Sequence, residues 1–450
     1  MRTHFTMRNR VALVVVTSVL FAACGSTHHT TARADTTCDG KIAGKQSIVA
    51  WFHIGSLDPE GVELKKQTDA FNASQSDVHV RVVFIPNATY TQTVQNAAAS
   101  GALPDVLDFD GPNLYSYAWR GLLKPLDSCI PPKLEADLLP SLQQQGSYAR
   151  QTWGIGSYDS GLGLYVRPSI LRKIGARIPN GVDDPWTASE FTDILQRLRA
   201  AGYRQPLDMK MNYATPKDAA PEWFTYGFSP IVWSAGGDLI DRKTYRTAEG
   251  SMNGAASVRA LTTLQGWFRD GLVNPDSHDD AFVRGQSPIS WVGHWEYTPY
   301  HQAFPNDLQI VPLPRFGPTL SSGMGSWQWG ITSNAVDGDA AWRYIAFLMR
   351  PDQIRAMTEV NGAVPGTNTA IGISANFAPG GPEHIYVTQL QRGIGRPRPQ
   401  TPAYPAITAA FASAFLKITQ GHDVKQALDV AARQVDANLA ANGYYTTSGS

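Results

Sequence analysis

Apolar positions along the chain switch between two periods. Residues 47–52 (SIVAWF) make a short apolar run, and residues 78–85 (VHVRVVFI) are dense in β-branched side chains, as expected of buried strands. Between them, residues 59–73 read as a helix that offers Val62, Leu64, Ala70 and Phe71 for burial. Strand, helix and strand in about 40 residues form a βαβ unit, which implies a mostly parallel sheet covered by helices. Further strands are expected over residues 106–109, 163–166, 287–292, 308–313 and 329–332. Two helices close the pattern. Ile407, Phe411, Phe415 and Ile418 share one face of the first, and Val424, Leu428, Ala431, Val435 and Leu439 form the stripe of the second. Trp51, Trp267, Trp291 and Trp342 are expected in the core. The proline-rich stretches at 312–318 and 396–405 read as connections.

The first residues depart from this pattern. Arg2, Arg8 and Arg10 precede an uncharged run over residues 11–23, too short to cross a bilayer that needs about 20 apolar residues. A basic start, a short apolar run and small residues describe a secretion signal. Phe21-Ala22-Ala23-Cys24 reads more narrowly as a lipobox, with Cys24 acylated and holding the protein to the outer face of the cell membrane. From Cys24 to about residue 40 the Ser, Thr, His and Ala content suits a flexible tether. Cys38 and Cys129 are left over, and in an exported protein such a pair is often joined, the alternative being two free thiols.

A chain of 450 residues is too long for one core and comfortable for two domains. Its 38 basic and 38 acidic side chains leave no basic surplus, which argues against a nucleic-acid partner. Catalytic signatures are missing. Residues 40–47 (GKIAGKQS) resemble a phosphate loop but have the wrong glycine spacing, and Gln46 stands where a hydroxyl is needed. There is no nucleophile elbow, no His-Glu-x-x-His and no paired-cysteine metal spacing. Asp276, His278, Asp279 and Asp280 read as a solvated loop, so neither a metal nor a cofactor is expected.

Several short motifs then occur in a telling order: Ser100-Gly101-Ala102-Leu103-Pro104-Asp105-Val106, Leu122-Leu123-Lys124-Pro125-Leu126-Asp127, Leu164-Tyr165-Val166-Arg167, Thr187-Ala188-Ser189-Glu190-Phe191, Gly236-Gly237-Asp238-Leu239, Phe282-Val283-Arg284-Gly285 leading to Gly293-His294-Trp295, and Asn361-Gly362-Ala363-Val364-Pro365. In these the chain resembles the family 1 extracellular solute-binding proteins, the group that includes maltose-binding protein and glycerophosphodiester-binding proteins. The resemblance implies an α/β two-lobed periplasmic-binding-protein fold of type II, each lobe a mostly parallel sheet flanked by helices. The expected N-terminal lobe takes residues 41–158 and 329–374, the C-terminal lobe 159–328 and 375–442, with a tail over 443–450. It further implies a monomer that closes on a solute by a hinge motion and delivers it to separate permease and ATPase subunits of an importer.

Sugar recognition needs flat apolar faces for ring C–H groups and short polar side chains for hydroxyls. The loop positions that supply both, and that align with cleft segments of the family, are His53 and Ser56; Asp108, Phe109, Asp110 and Asn113; Tyr158 and Asp159; Trp223 and Tyr226; Trp295; Ser326 and Trp327; and Arg398 and Tyr404. Each also has a plain structural reading as core or turn. Three rivals to a sugar-binding protein stand beside it. One is an exported glycosidase using Asp110 and Asp159. Another is a binder of glycerophosphodiesters or amino sugars through Arg398, Ser326 and an aromatic box. The third is a signalling or adhesion lipoprotein on the same fold.

Overall fold

The computed structural model describes residues 37–214, 222–275 and 280–446. The expected signal over 1–23, Cys24, most of the tether, Asp276, His278 and Asp279, and the last four residues of the tail lie outside the described residues.

Two sheets organise the rest. The first runs in the order Trp327–Ile331, Val106–Asp110, Gln46–Phe52, Val78–Phe84. The second runs Gln309–Val311, Leu162–Val166, Ile289–Gly293, Leu207–Asp208, Val273–Asn274. Each has a parallel part. Antiparallel pairing enters the first sheet with Trp327–Ile331 and the second with Leu162–Val166. These are the strands that begin just after the chain has crossed from the other sheet. A crossing chain starts from the gap between the sheets, so it must run against the strands that end there. The fold is therefore α/β and two-lobed, with the carboxyl ends of its parallel strands turned towards one cleft, where ligands of open α/β sheets bind. A short antiparallel ribbon, Tyr158–Asp159 with Val364–Pro365, ties two crossing segments together.

The helix Pro59–Ser74 forms as expected, with proline in its first turn, and buries two of its four expected apolar residues, Leu64 and Phe71. Leu64, Thr68 and Phe71 are buried at helical spacing, while Val62 and Ala70 lie on the opposite, solvent side. Gln67 completes the buried face by donating to the Gln353 carbonyl at 2.9 Å. Thr187 caps Ala188–Ala200 by accepting from the Glu190 backbone N–H. The closing helices Tyr404–Thr419 and Val424–Ala441 bury the whole of the expected stripe against the second sheet's core. Trp267, Trp291 and Trp342 are core, whereas Trp51 is only half-buried, at the margin of a cluster around Phe109 and Tyr117. Among the described residues no helix is long and apolar enough to cross a membrane.

Cys38 and Cys129 are joined by a disulfide across 91 residues of sequence. The same N-terminal segment is fastened a second time: the backbone N–H groups of Asp39 and Gly40 donate to Asp339, and that of Ala43 to Asp337, at the start of Gly338–Leu348. Closing so long a loop removes freedom from the unfolded chain, typically about 2–4 kcal/mol. Cys38→Ser, Cys129→Ser or reduction should therefore lower unfolding stability by about that amount in urea titration. An unchanged midpoint would mean that the Asp337 and Asp339 contacts alone hold the segment.

Candidate ligand-binding site

Strand ends place the polar groups of the cleft. In the first lobe Val106–Asp110 delivers Asp110, and Gln46–Phe52 leads into His53. In the second, Ile289–Gly293 leads into His294-Trp295-Glu296, and Leu207–Asp208 into Lys210 and Tyr213. The loop that follows Gly395–Pro397 carries Arg398 into the gap.

Arg398 binds both lobes. Its Nη1 and Nη2 donate to the two Asp110 oxygens at 2.7 and 2.6 Å, and Nη1 also reaches Glu222 Oε1 at 2.6 Å. The guanidinium lies 4.9 Å from the centroid of Tyr226 and 5.9 Å from that of Tyr404. Burial alone would lower the Arg398 pKa, but Asp110, Tyr404 and Glu222 outweigh it and raise the value further. Tyr404 donates its hydroxyl to Glu222, and Thr408 donates to the other Glu222 oxygen at 2.7 Å.

Beside this cluster stands an aromatic wall. Trp295 lies 5.9 Å from Trp223 and 6.3 Å from Tyr226, and its indole N–H donates to the Tyr213 hydroxyl at 3.0 Å. Tyr213 in turn donates to Glu296, which lies 3.5 Å from the Lys210 ammonium. Trp223 donates to the Met209 carbonyl. Gly293 is required for this arrangement, because a Cβ there would stand 2.1 Å from the Trp295 ring. The Tyr226 hydroxyl meets Ser160 at the first crossing.

Other expected site residues support the hinge instead of facing this wall. Asp159 is fully buried and accepts from the backbone N–H groups of Ser160 and Gly325 and from Gln145, so it clamps two crossings together. Burial raises its pKa against those hydrogen bonds. Gly325, at φ +126°, holds a backbone conformation that a side chain would strain, and a Cβ there would crowd Arg398 and Gln145. His53 stacks on Trp327 at 3.4 Å between centroids, and its Nδ1 bonds Asp108 at 2.7 Å. Burial would lower the His53 pKa, but Asp108 and Glu60 outweigh it and raise it. Tyr158 donates to Glu60, and Asn361 also donates to Glu60, at 2.5 Å.

Phe109 is not at the cleft. It points to the opposite face of its strand from Asp110 and packs on Tyr117 in the core, as alternation along a strand dictates. Ser326 is buried, Ser56 exposed and Asn113 half-buried, and none of their side chains joins the aromatic wall or the Arg398 cluster. Tyr213, Tyr115 and Gln400 belong to the cleft but carried no local sequence signal, and Glu222 stood beside the expected Trp223 without being marked as a site residue. Their partners stand far away along the chain, as with Glu222 and Arg398.

A family model for bacterial extracellular solute-binding proteins matches residues 66–378, and the chain belongs to that family. It is 20% identical over 440 residues to the galactooligosaccharide-binding protein of Bacillus subtilis, covering 95% of this chain and 96% of that one. It is also 20% identical over 332 residues to the maltotriose-binding protein of Pyrococcus abyssi, covering 72% of this chain and 67% of that one. The fold superposes on the crystal structure of the cyclic alpha-maltosyl-1,6-maltose binding protein of Arthrobacter globiformis with a TM-score of 0.71 at 23% identity, covering 88% of this chain and 99% of the other. The protein is thus an extracellular solute-binding protein of the two-lobed kind.

Two further groups have their protonation set by burial. His294 is held neutral, its pKa lowered to about 4, with Nδ1 donating to the Asn361 carbonyl at 3.0 Å. Glu383 is fully buried, accepts one bond from Asn376 at 3.0 Å, and has its pKa raised to about 9. A carboxyl raised from 4.5 to about 9 is protonated in the folded state at neutral pH and ionised in the unfolded one. Its contribution is complete below about pH 4.5 and is lost as pH climbs towards 9. Glu383→Gln should remove that slope, raising stability at pH 8 relative to pH 5 by on the order of 3 kcal/mol against the parent. Parallel melting curves of parent and variant across that range would reveal a Glu383 that ionises in the fold.

Proposed function

We propose that the protein captures a neutral carbohydrate between its lobes and hands it to the membrane subunits of an ABC importer, without chemical turnover. The observation that carries this reading is the wall of Trp223, Tyr226 and Trp295 beside the hydroxyl-competent groups Asp110, Glu222 and Tyr404. Flat rings take the C–H faces of a pyranose, and the carboxylates and hydroxyls take its OH groups. The galactooligosaccharide and maltotriose binding named for the relatives supports the same ligand class.

Charge separates this from the phosphodiester alternative. The Arg398 guanidinium, which a phosphate would need, is already paired with two carboxylates. A phosphate entering there would displace them and leave buried negative charge beside its own. The glycosidase alternative fares no better, since Asp159 is fully buried at the hinge, where it holds the Ser160 and Gly325 backbone N–H groups. Export with a lipid on Cys24 remains part of the proposal. The tether would then leave the body at the Cys38–Cys129 disulfide.

The deciding experiment is a thermal-shift screen with mono-, di- and trisaccharides, polyols and glycerophosphodiesters. A ligand that binds only the folded protein raises the melting temperature with its concentration. A shift with a neutral saccharide is expected. Trp295→Ala, and Gly293→Ala by pushing the ring aside, should each weaken that binding by about tenfold or more, equivalent to about 1.4 kcal/mol. A response confined to phosphodiesters would sink the carbohydrate reading.

A further inference from the structure

Three contacts join the lobes along one short stretch of the first lobe. Asp110 takes Arg398 at the depth of the cleft. Five residues on, the Tyr115 hydroxyl accepts from Gln400 Nε2 at 2.7 Å, and Gln400 also donates to the Gln144 carbonyl at 3.1 Å. Four residues further, the Trp119 ring meets Tyr445 edge-on, with centroids 5.0 Å apart and planes at 75°. Tyr115 and Trp119 are one helical turn apart in Leu114–Trp119, so the same face of that helix makes both outer contacts.

The Tyr445 side of the outermost contact is held in an uncommon way. Tyr444 and Tyr445 both have left-handed backbone angles, φ +57° and +52°. Bulky residues rarely adopt that region, and they keep it only where their surroundings fix it. Here the fixing groups are visible. The Arg246 guanidinium lies 3.9 Å from the Tyr444 ring centroid, and the Tyr445 hydroxyl donates to Asn438 at 2.8 Å. Tyr445 also packs against the apolar core of the second lobe. The turn after Val424–Ala441 is therefore built to present one ring outward from the second lobe. That ring lands on Trp119 of the first lobe, which stays 39% exposed in the contact.

We propose that Trp119 and Tyr445 form an aromatic clasp that holds the lobes closed, and that they are positioning residues for closure and not ligand contacts. Opening the cleft must part these rings, because Trp119 belongs to the first lobe and Tyr445, in the tail, packs on the core of the second, whereas neither ring needs a ligand in order to meet. The clasp therefore biases the open–closed balance of the ligand-free protein, and through it the fraction of molecules ready to retain a solute.

Small-angle scattering of the ligand-free protein tests this without knowledge of the solute. Trp119→Ala and Tyr445→Ala should each enlarge the radius of gyration, and the double variant should enlarge it no further than either single one, because all three remove the same contact. Trp119→Phe should keep the parent value. Melting temperatures within about 2 °C of the parent would separate a change of balance from loss of folding. A radius unchanged in both single variants would overturn the clasp, and so would additive increases in the double variant, which would mean that the rings act apart. Failure here leaves the carbohydrate reading untouched, since no sugar enters the measurement.

Discussion

A guanidinium shielded from water must have its charge answered by neighbours, and Arg398 has only 3% of its side chain exposed. The answer comes from both lobes, Asp110 from the first and Glu222 from the second. Removing one partner of such a buried group typically costs about 3–5 kcal/mol, because the remaining charge is stranded. The closed arrangement of the lobes thus has a chemical condition attached to it. Arg398 keeps its two-sided pairing only while Asp110 is within reach, and Asp110 is within reach only while the lobes are together.

The strand directions explain why these groups meet at all. Parallel strands of both sheets end at the gap, so the residues just beyond them are brought to it irrespective of their separation in sequence. His53 and Asp110 arrive this way from one side, and Trp295 and Tyr213 from the other. The crossings then need rigidity of their own. Asp159 supplies it by binding the Gly325 backbone, and the Tyr158–Asp159 ribbon with Val364–Pro365 adds a second brace. A carboxylate without a cationic partner at a hinge holds backbone N–H groups in place, and the crossings bend around that fixed point.

Much of the fold could be read from residue order, and the reasons are local. The βαβ start and the amphipathic stripe of Val424–Ala441 rest on periodicity and neighbouring side chains, which sequence displays. The Cys38–Cys129 bond was anticipated because few alternatives existed. Face assignment in Pro59–Ser74 was harder, since Val62 is as apolar as Leu64 and only the packing of the first lobe chooses between them. The two-residue strands Leu207–Asp208 and Val273–Asn274 are too short to carry any periodic signal, and Tyr213 was missed along with the first of them.

The site was legible in its segments and less so in its side chains. Trp223, Tyr226 and Trp295 lie close together, and Arg398 lies against Tyr226 and Tyr404. Phe109 and Asp110 show the limit: adjacent in sequence, they point to opposite faces, one into the core and one to Arg398. A motif places a backbone, and the pleat then decides which neighbour the cleft receives. Glu222 shows the complementary limit. Nothing near it in sequence marks it as a charge partner, and its role exists only because Arg398 arrives from 176 residues away. The pairing of Arg398 with Asp110 and Glu222 is therefore a property of the tertiary fold that no single motif carries.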